Sequence, residues 1–415
     1  MHILQLCPRV PYPPHDGGAI AMYETVRGLA EAGHRVTVLA ANTPKHHQLA
    51  TALDHLGPNV RLVTVDVDTQ LSPLQALRNL LLSHEPYNVA RFISPALLAA
   101  LMALLRENAV DVVQFEGSFV APYLELLHQQ AAGSQLPPLV LRAHNIEYTI
   151  WQMLAARAGN PLKKWYLRNM AARLEQLERR ELPRFDGVAA ITEEDIARLR
   201  ALGCTAPIAF IPASFDLTRL TPAPEPPRPR TVFLIGSLNW LPNLEGVDWF
   251  LREIWPLAHA EMPELELHVA GSHPPAHLTE RPAGKDKVFI HGFVESAPAF
   301  MQQYGLMLVP LLSGGGMRVK VVEGMALGKV ILSTALGAEG IVARDGDNML
   351  LRDSPAAWLD ALRDYYHGRL PLAAVGAAAA RTAHNEYDTR RVTQRLLALY
   401  QQLLDQRTGT TTGGA

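Results

Sequence analysis

Only two cysteines, Cys7 and Cys204, occur in 415 residues. They cannot build a disulfide framework, and so sparse a thiol content suits a reducing compartment. No stretch approaches the ~18 consecutive apolar residues of a membrane-spanning helix. The start, Met1-His2-Ile3-Leu4-Gln5-Leu6, lacks the basic region of a secretory signal. Neither sign of charge dominates: 38 Lys and Arg against 40 Asp and Glu leave a formal −2. A dedicated nucleic-acid binder usually carries a strong basic bias, so that class is disfavoured. No His/Cys cluster has zinc spacing, and no required metal or other cofactor is expected. Asp66-Val67-Asp68 reads as a solvated pair at a strand end. The chain is expected in the cytoplasm, with peripheral contact at the inner face of the membrane left open.

What the chain has in quantity is apolar residues, 48% of the total, in short runs separated by amphipathic stretches. Ile3 to Leu6, Arg35 to Ala40, Val60 to Val65, Asp111 to Phe115, Leu139 to Ala143 and Val188 to Ile191 read as buried strands. Repeated strand–helix order implies a parallel sheet covered on both faces. Thr221 to Arg230 is so rich in proline that it reads as a semi-rigid linker. The alternation then restarts, with strands expected at Val232–Gly236, Leu265–Ala270, Val288–His291, Leu306–Pro310 and Val330–Leu332. This gives two α/β domains, 1–220 and 231–385. A closing helix, 386–406, carries Val392, Leu396, Leu397, Tyr400 and Leu403 on one stripe and is a candidate to cross back to the first domain. The tail 407–415 reads as disordered.

The segment Ser313-Gly-Gly-Gly-Met-Arg-Val-Lys-Val-Val-Glu-Gly-Met-Ala326 concentrates three glycines, two cations and one carboxylate at the mouth of an α/β unit. Glycines admit close approach of a backbone to a ligand, and amides at a helix start attract anions. Arg318 and Lys320 suit a diphosphate, the amides of Gly315 and Gly316 its oxygens, and Glu323 a ribose hydroxyl. A nucleotide-sugar uses all of these together. Gly324 to Lys329 imitates a P-loop, but with one residue too few between its glycines and Val330 where a hydroxyl should hold magnesium. Gly328 reads instead as a helix C-cap.

Several further motifs fall in a recognisable order: His15-Asp16-Gly17-Gly18, Arg142-Ala143-His144-Asn145-Ile146-Glu147, Gly236-Ser237-Leu238-Asn239-Trp240-Leu241-Pro242-Asn243 and His291-Gly292-Phe293-Val294. With Gly314 to Ala326 they make the chain resemble the GT-B glycosyltransferases, most closely family 4, over nearly its whole length. The resemblance implies two Rossmann-like doubly wound domains facing across a cleft. It implies a nucleoside-diphosphate sugar on the second domain, a saccharide or lipid-linked glycan acceptor on the first, and retention of anomeric configuration. Gly17, Gly18, Gly236, Ser237, Phe293 and Val294 join the donor-binding set, the last two around the nucleobase. His144 becomes the leading catalytic candidate, since the family's histidine here contacts the transferred sugar. Glu147 is placed to orient it or to touch acceptor hydroxyls, and Asp16 or His15 to act as general base. Two departures stand out. Gly315 occupies the position of the first of the family's paired glutamates, and Ser237 and Asn243 lie where the family often has Arg and Lys. Arg318 and Lys320 are expected to supply the phosphate charge instead.

Glu116, at another strand's carboxyl end, is either an acceptor-site residue or a solvated loop carboxylate. The helix around Lys163–Arg180 sets cations beside Trp165 and Tyr166, as an anionic membrane surface favours. Glu175, Glu178 and Glu181 neutralise its second half, as in a solvated helix. The expected activity is sugar transfer in cell-surface polysaccharide assembly. A nucleotide-sugar epimerase or hydrolase, and a non-catalytic nucleotide- or glycan-binding protein, are the alternatives.

Overall fold

The apolar runs become two separate parallel sheets in the computed structural model, which describes residues 1–14, 16–130, 135–218, 220–282, 284–314 and 317–412, the last five without side chains. The first sheet comprises β1 (His2–Cys7), β2 (Arg35–Asn42), β3 (Val60–Asp66), β4 (Val112–Glu116), β5 (Leu139–Ala143), β6 (Gly187–Ala190) and β7 (Ile208–Phe210). Its order is β3-β2-β1-β4-β5-β6-β7, all parallel. The second comprises β8 (Arg228–Ile235), β9 (Glu266–Ala270), β10 (Val288–Gly292), β11 (Tyr304–Val309), β12 (Val330–Ser333) and β13 (Leu350–Leu351). Its order, β10-β9-β8-β11-β12-β13, is likewise parallel throughout.

Strand order reverses between β1 and β4 in one sheet and between β8 and β11 in the other. Open α/β sheets bind ligands beyond the strand ends at such reversals. Both faces of the first sheet are packed. Leu4 and Leu6 of β1 join Leu97, Leu101 and Phe115 on one side, while Ile3 and Cys7 join Val26, Leu29 and residues of the final helix on the other. Cys7 and Cys204 are buried free thiols.

The chain divides into two compact units, Met1–Ser214 with Val392 onward, and Phe215–Arg391. The final helix, Thr389–Thr412, belongs mostly to the first. Its buried stripe is Val392, Leu396, Leu399, Tyr400 and Leu403; Leu397 sits at the edge of the same cluster. Tyr400 Oη also donates to Gln114 Oε1 inside β4.

One expectation fails at the linker. β8 begins at Arg228, inside the proline-rich stretch, and is the central strand of its sheet. Pro229 is tolerated because it lies at the strand's first residues, where the register with β11 shifts between Tyr304 and Leu306. The long helix Pro161–Glu181 is also less free than its charge suggested. Arg173 donates to the carbonyls of Asn79 (3.3 Å) and Leu80 (2.7 Å). Arg180 pairs with Glu85 (2.7 Å) and Glu181 (2.8 Å).

Because the final helix supplies one wall of the first unit's core, Leu396→Ala should lower stability by about 2–5 kcal/mol. Urea unfolding followed by circular dichroism measures this; an unchanged midpoint would show that the helix is dispensable.

Candidate active site

At the reversal in the second unit, three strands run into glycine: β8 into Gly236, β9 into Gly271, and β10 at Gly292. Gly271 N donates to Gly292 O at 2.7 Å, and Gly236 N to Ala270 O at 3.1 Å. A Cβ on Gly271 would collide with the Gly236 carbonyl. A Cβ on Gly236 would lie 2.7 Å from Asn243 Nδ2 and 3.0 Å from Lys320 Nζ. Glycine is what lets the loop after β8 lie against the Lys320 ammonium.

That loop is internally bonded. Asn243 Nδ2 donates to Ser237 O (2.9 Å), and Ser237 Oγ donates to Asn239 Oδ1 (2.6 Å) and meets Ser272 Oγ (2.9 Å). Lys320 Nζ, on the helix Val319–Ala326, donates to Asn243 Oδ1 at 2.8 Å. A small cavity opens here, lined by Gly236, Asn243, Ala270, Pro310, Leu311 and Lys320. Arg318, the residue before the helix, is buried, with its guanidinium 5.4 Å from the centre of the Trp240 ring. Gly314, at φ +97°, brings the loop so close that a Cβ would meet Pro242 at 3.1 Å and the Trp240 ring at 3.2 Å.

Charge is held here under strain. Burial, and then the neighbouring Arg318 charge, push the Lys320 ammonium down to about 7. Burial also lowers Arg318, against an opposing pull from Glu339. Two like charges in a poorly hydrated corner cost free energy that an arriving anion relieves. Glu323, one turn beyond Lys320, is half-buried, and burial raises its carboxyl. Lys329, the P-loop look-alike, instead donates to Gln302 O (3.2 Å) and Tyr304 O (2.8 Å) and serves the fold. Gly328, at φ +69°, ends the helix. Phe293 is exposed beyond Gly292, with Val294 partly covered. Gly315 and Gly316 lie outside the described residues, as does His15.

In the first unit, the residues at and beside the reversal form a buried polar chain. Tyr400 bonds Gln114; Gln114 Nε2 donates to Glu116 Oε1 (2.5 Å); Glu116 Oε2 meets His144 Nε2 (2.6 Å). Glu116 is therefore no solvated loop carboxylate: it is fully buried behind His144. Burial alone would raise its carboxyl, but the His144 hydrogen bond and the charges of His144 and Arg142 outweigh it and hold it below its ordinary value. An ionised carboxylate only accepts, so Nε2 of His144 carries the proton and Nδ1 is the ring atom left for a ligand. Gly117, at φ +83°, places its α-carbon against the imidazole: a Cβ there would touch Cδ2 at 3.4 Å.

Other residues singled out from the sequence take structural posts. Asp16 caps the helix Gly17–Glu31 through Ala19 N and pairs with Arg9. Burial opposes ionisation, yet the Arg9 and Ala19 hydrogen bonds hold Asp16 below its usual range. Such a carboxylate is a weak base. Gly17 and Gly18 form the first turn of that helix. Glu147 is buried and its carboxyl raised by burial; its backbone N donates to Glu178 Oε1 at 2.8 Å. It touches neither Glu116 nor His144 by any hydrogen bond among the described residues. Gly271 was not expected in the site, and in the sequence Trp240 and Asn243 stand out only within the Gly236–Asn243 motif, without a role of their own. Only their position, directly after strands, hinted at a role.

Residues 229–367 match the family model for glycosyl transferases group 1, and residues 15–219 match glycosyltransferase family 4. The chain belongs to the GT-B glycosyltransferases. The enzyme is 19% identical over 398 residues, 92% of its length and 95% of the relative's, to an uncharacterized 44.6 kDa protein in the cps region of Klebsiella pneumoniae. Sucrose-phosphate synthase from Thermosynechococcus elongatus superposes with a TM-score of 0.66 at 15% identity, covering 98% of this chain and 100% of that one. Anabaena HepE, in complex with UDP, gives 0.63 at 14% identity over 96% and 99%. At such identities these structures speak to the fold.

With burial and Arg318 pushing the Lys320 ammonium down to about 7, its positive charge is expected to be lost as pH rises through that value, whereas a nucleotide-sugar remains dianionic. Donor affinity should hold below pH 7 and fall above it by up to about tenfold per pH unit. Lys320→Met should weaken binding and flatten that slope, and Glu323→Ala should weaken binding at every pH. Titration calorimetry across pH 6–9 reads all three; a wild-type affinity indifferent to pH would remove Lys320 from the site.

Proposed function

We propose that the enzyme moves a sugar from a nucleoside diphosphate to a hydroxyl of a saccharide or lipid-linked glycan, with retention of configuration and no required metal ion. The observation that carries this reading is the Arg318–Lys320 pair at the reversal of the second sheet, with Arg318 buried and the Lys320 ammonium set against Asn243 and the glycine turn after β8. As the bond between anomeric carbon and phosphate oxygen lengthens, negative charge grows on the diphosphate. Fixed cations already in place stabilise it without reorganising. Gly236 and Ser237 lie beside Lys320 for the phosphates, Glu323 serves the ribose, and the backbone of Phe293 and Val294 serves the base. The Anabaena protein is also solved with UDP-glucose, and a pneumococcal O-GlcNAc transferase with UDP and GlcNAc. Those ligands support a sugar nucleotide as donor here.

His144 serves the transferred sugar through Nδ1, and Glu116 is a positioning residue behind it. The acceptor belongs with cell-surface glycans, a placement supported by the likeness to the cps-region protein and to a lipopolysaccharide outer core galactosyltransferase. Chemistry of this kind would be carried out at the cytoplasmic side of a membrane.

A thermal-shift panel of nucleotide-sugars identifies the donor; a ligand at 100 times its Kd stabilises by about 2.7 kcal/mol. Product analysis with the best hit then separates the readings. Donor consumed without acceptor indicates an epimerase or hydrolase, and tight binding with no turnover in any acceptor extract indicates a binding protein. Turnover should survive strong chelation; reversible loss would assign a metal. Glu116→Gln should cut kcat on the order of a hundredfold while leaving donor Kd unchanged, and should shift the nitrogen resonances of His144. An equal fall in donor affinity would mean that Glu116 supports the fold rather than the imidazole.

A further inference from the structure

The helix Pro73–Leu82 buries none of its residues. Leu74, Leu77 and Leu81, spaced i, i+3, i+7, share one stripe, and that stripe faces solvent: Leu74 is 77% exposed, Leu81 72% and Leu82 77%. The opposite side meets the protein. Arg173 grips the carbonyls of Asn79 and Leu80 at one end, and at the other Tyr87 Oη accepts from Ser72 N (3.1 Å). The helix is thus pinned to Pro161–Glu181 with its apolar face outward. Leu162 (80% exposed) and Trp165 (58%) extend the apolar surface on that neighbour's first turns.

Within the two segments that carry these residues, the charge is of one sign. No Asp or Glu occurs from Thr69 to His84 or from Tyr148 to Leu174, whereas Arg78, Arg157, Lys163, Lys164 and Arg168 do, in a chain whose net charge is −2. Arg78 stands within the leucine stripe itself, where its stem can lie along the apolar face and its head reach outward.

We infer that this face docks on an anionic lipid bilayer, lying in its interface. Leucines and a tryptophan enter the headgroup boundary while lysines and arginines meet lipid phosphates. No helix among the described residues is long and apolar enough to cross a membrane, so the contact is peripheral. A second copy of the chain fits poorly, because a two-fold contact through this face would set the same five cations against one another. The surface differs from the one the sequence suggested. Arg173 and Arg180 serve the fold, and the helix Pro73–Leu82 supplies most of the apolar area. The inference stands on exposure and charge alone and is independent of which sugar is transferred.

The test is flotation of the whole chain with vesicles of phosphatidylcholine, alone or with about 30% phosphatidylglycerol, at roughly 50 and 500 mM salt. Binding is expected to the anionic vesicles, and to weaken at high salt. Leu74→Asp with Leu81→Asp should weaken it at least about tenfold, with an unchanged melting curve because both side chains are already in water. Lys163→Glu with Lys164→Glu should weaken it and reduce the salt effect. As a readout that needs no folding control, wild-type tryptophan emission should be quenched by brominated lipid, and Trp165→Phe should lose most of that quenching. Three outcomes would each overturn the inference: no binding to anionic vesicles at low salt, full binding by the aspartate variant, or a dimer in sedimentation that the aspartate variant dissolves.

Discussion

The second unit is organised around keeping two positive charges together where water is scarce. Lys320 and Arg318 would be easier to bury if either were neutral, and burial with the Arg318 charge pushes the Lys320 ammonium down to about 7. Its hydrogen bond goes to the neutral amide of Asn243 rather than to a carboxylate. Pairing with an acid would satisfy the lysine in the resting protein and leave nothing to gain from a ligand. The glycines follow from the same requirement. Gly236 clears the space at the ammonium, Gly271 lets the backbones of two strand ends pass, and Gly314 lets the loop bearing Arg318 fold onto Trp240.

The first unit solves a different electrostatic problem. A carboxylate as buried as Glu116 is costly unless its oxygens are bonded, and both are, to Gln114 and His144. Arg142 adds a second buried charge nearby, its guanidinium donating to Ala21 O (2.8 Å) and Pro212 O (3.2 Å). Gln114 is tied in turn to Tyr400, 286 residues along the chain, so the ring orientation of His144 is linked through three side chains to the final helix. A network in which each member is satisfied by the next is rigid, because losing one bond strands a buried group. Closing the first unit with the final helix thus does more than cover apolar surface.

Much of this architecture was legible because parallel strands buried on both faces read as bare apolar runs. Eleven strands announce themselves that way; β7 and β13, of three and two residues, are too short to do so. Prolines concealed the start of β8, since proline is excluded from strand interiors but not from their first residues. On the final helix, Leu397 and Leu399 are two positions apart, and only packing decides which turns inward. Arg318, Lys320 and Glu323 stand out because their charges are local in sequence. The Glu116–His144 contact spans 28 residues and leaves no such trace. Its one signal was the spacing of Gln114 and Glu116, two polar residues on the same face of an otherwise apolar strand.

Over most of the described chain, local rules and tertiary structure agree: apolar residues go in, charges go out, caps and turns sit where their chemistry suits. Some buried charges, such as Arg142 and Lys329, are bonded to backbone carbonyls and serve the fold. Three conflicts have no such account. A buried arginine and a half-buried lysine are set close together, a carboxylate is sunk beneath a histidine, and a leucine stripe is turned outward. A fold can tolerate a few such conflicts, and they gather where something other than stability is being served. Each has a defined chemical complement: an anion for the first, a hydrogen-bonding ligand at Nδ1 for the second, an apolar surface edged with negative charge for the third. On the proposed function, a sugar nucleotide, a sugar hydroxyl and a phospholipid bilayer would supply those complements. All three would belong to the chemistry of building a glycan at a membrane, and the three sites lie on different elements with no shared side chain. The agreement among them is therefore not a single feature counted three times.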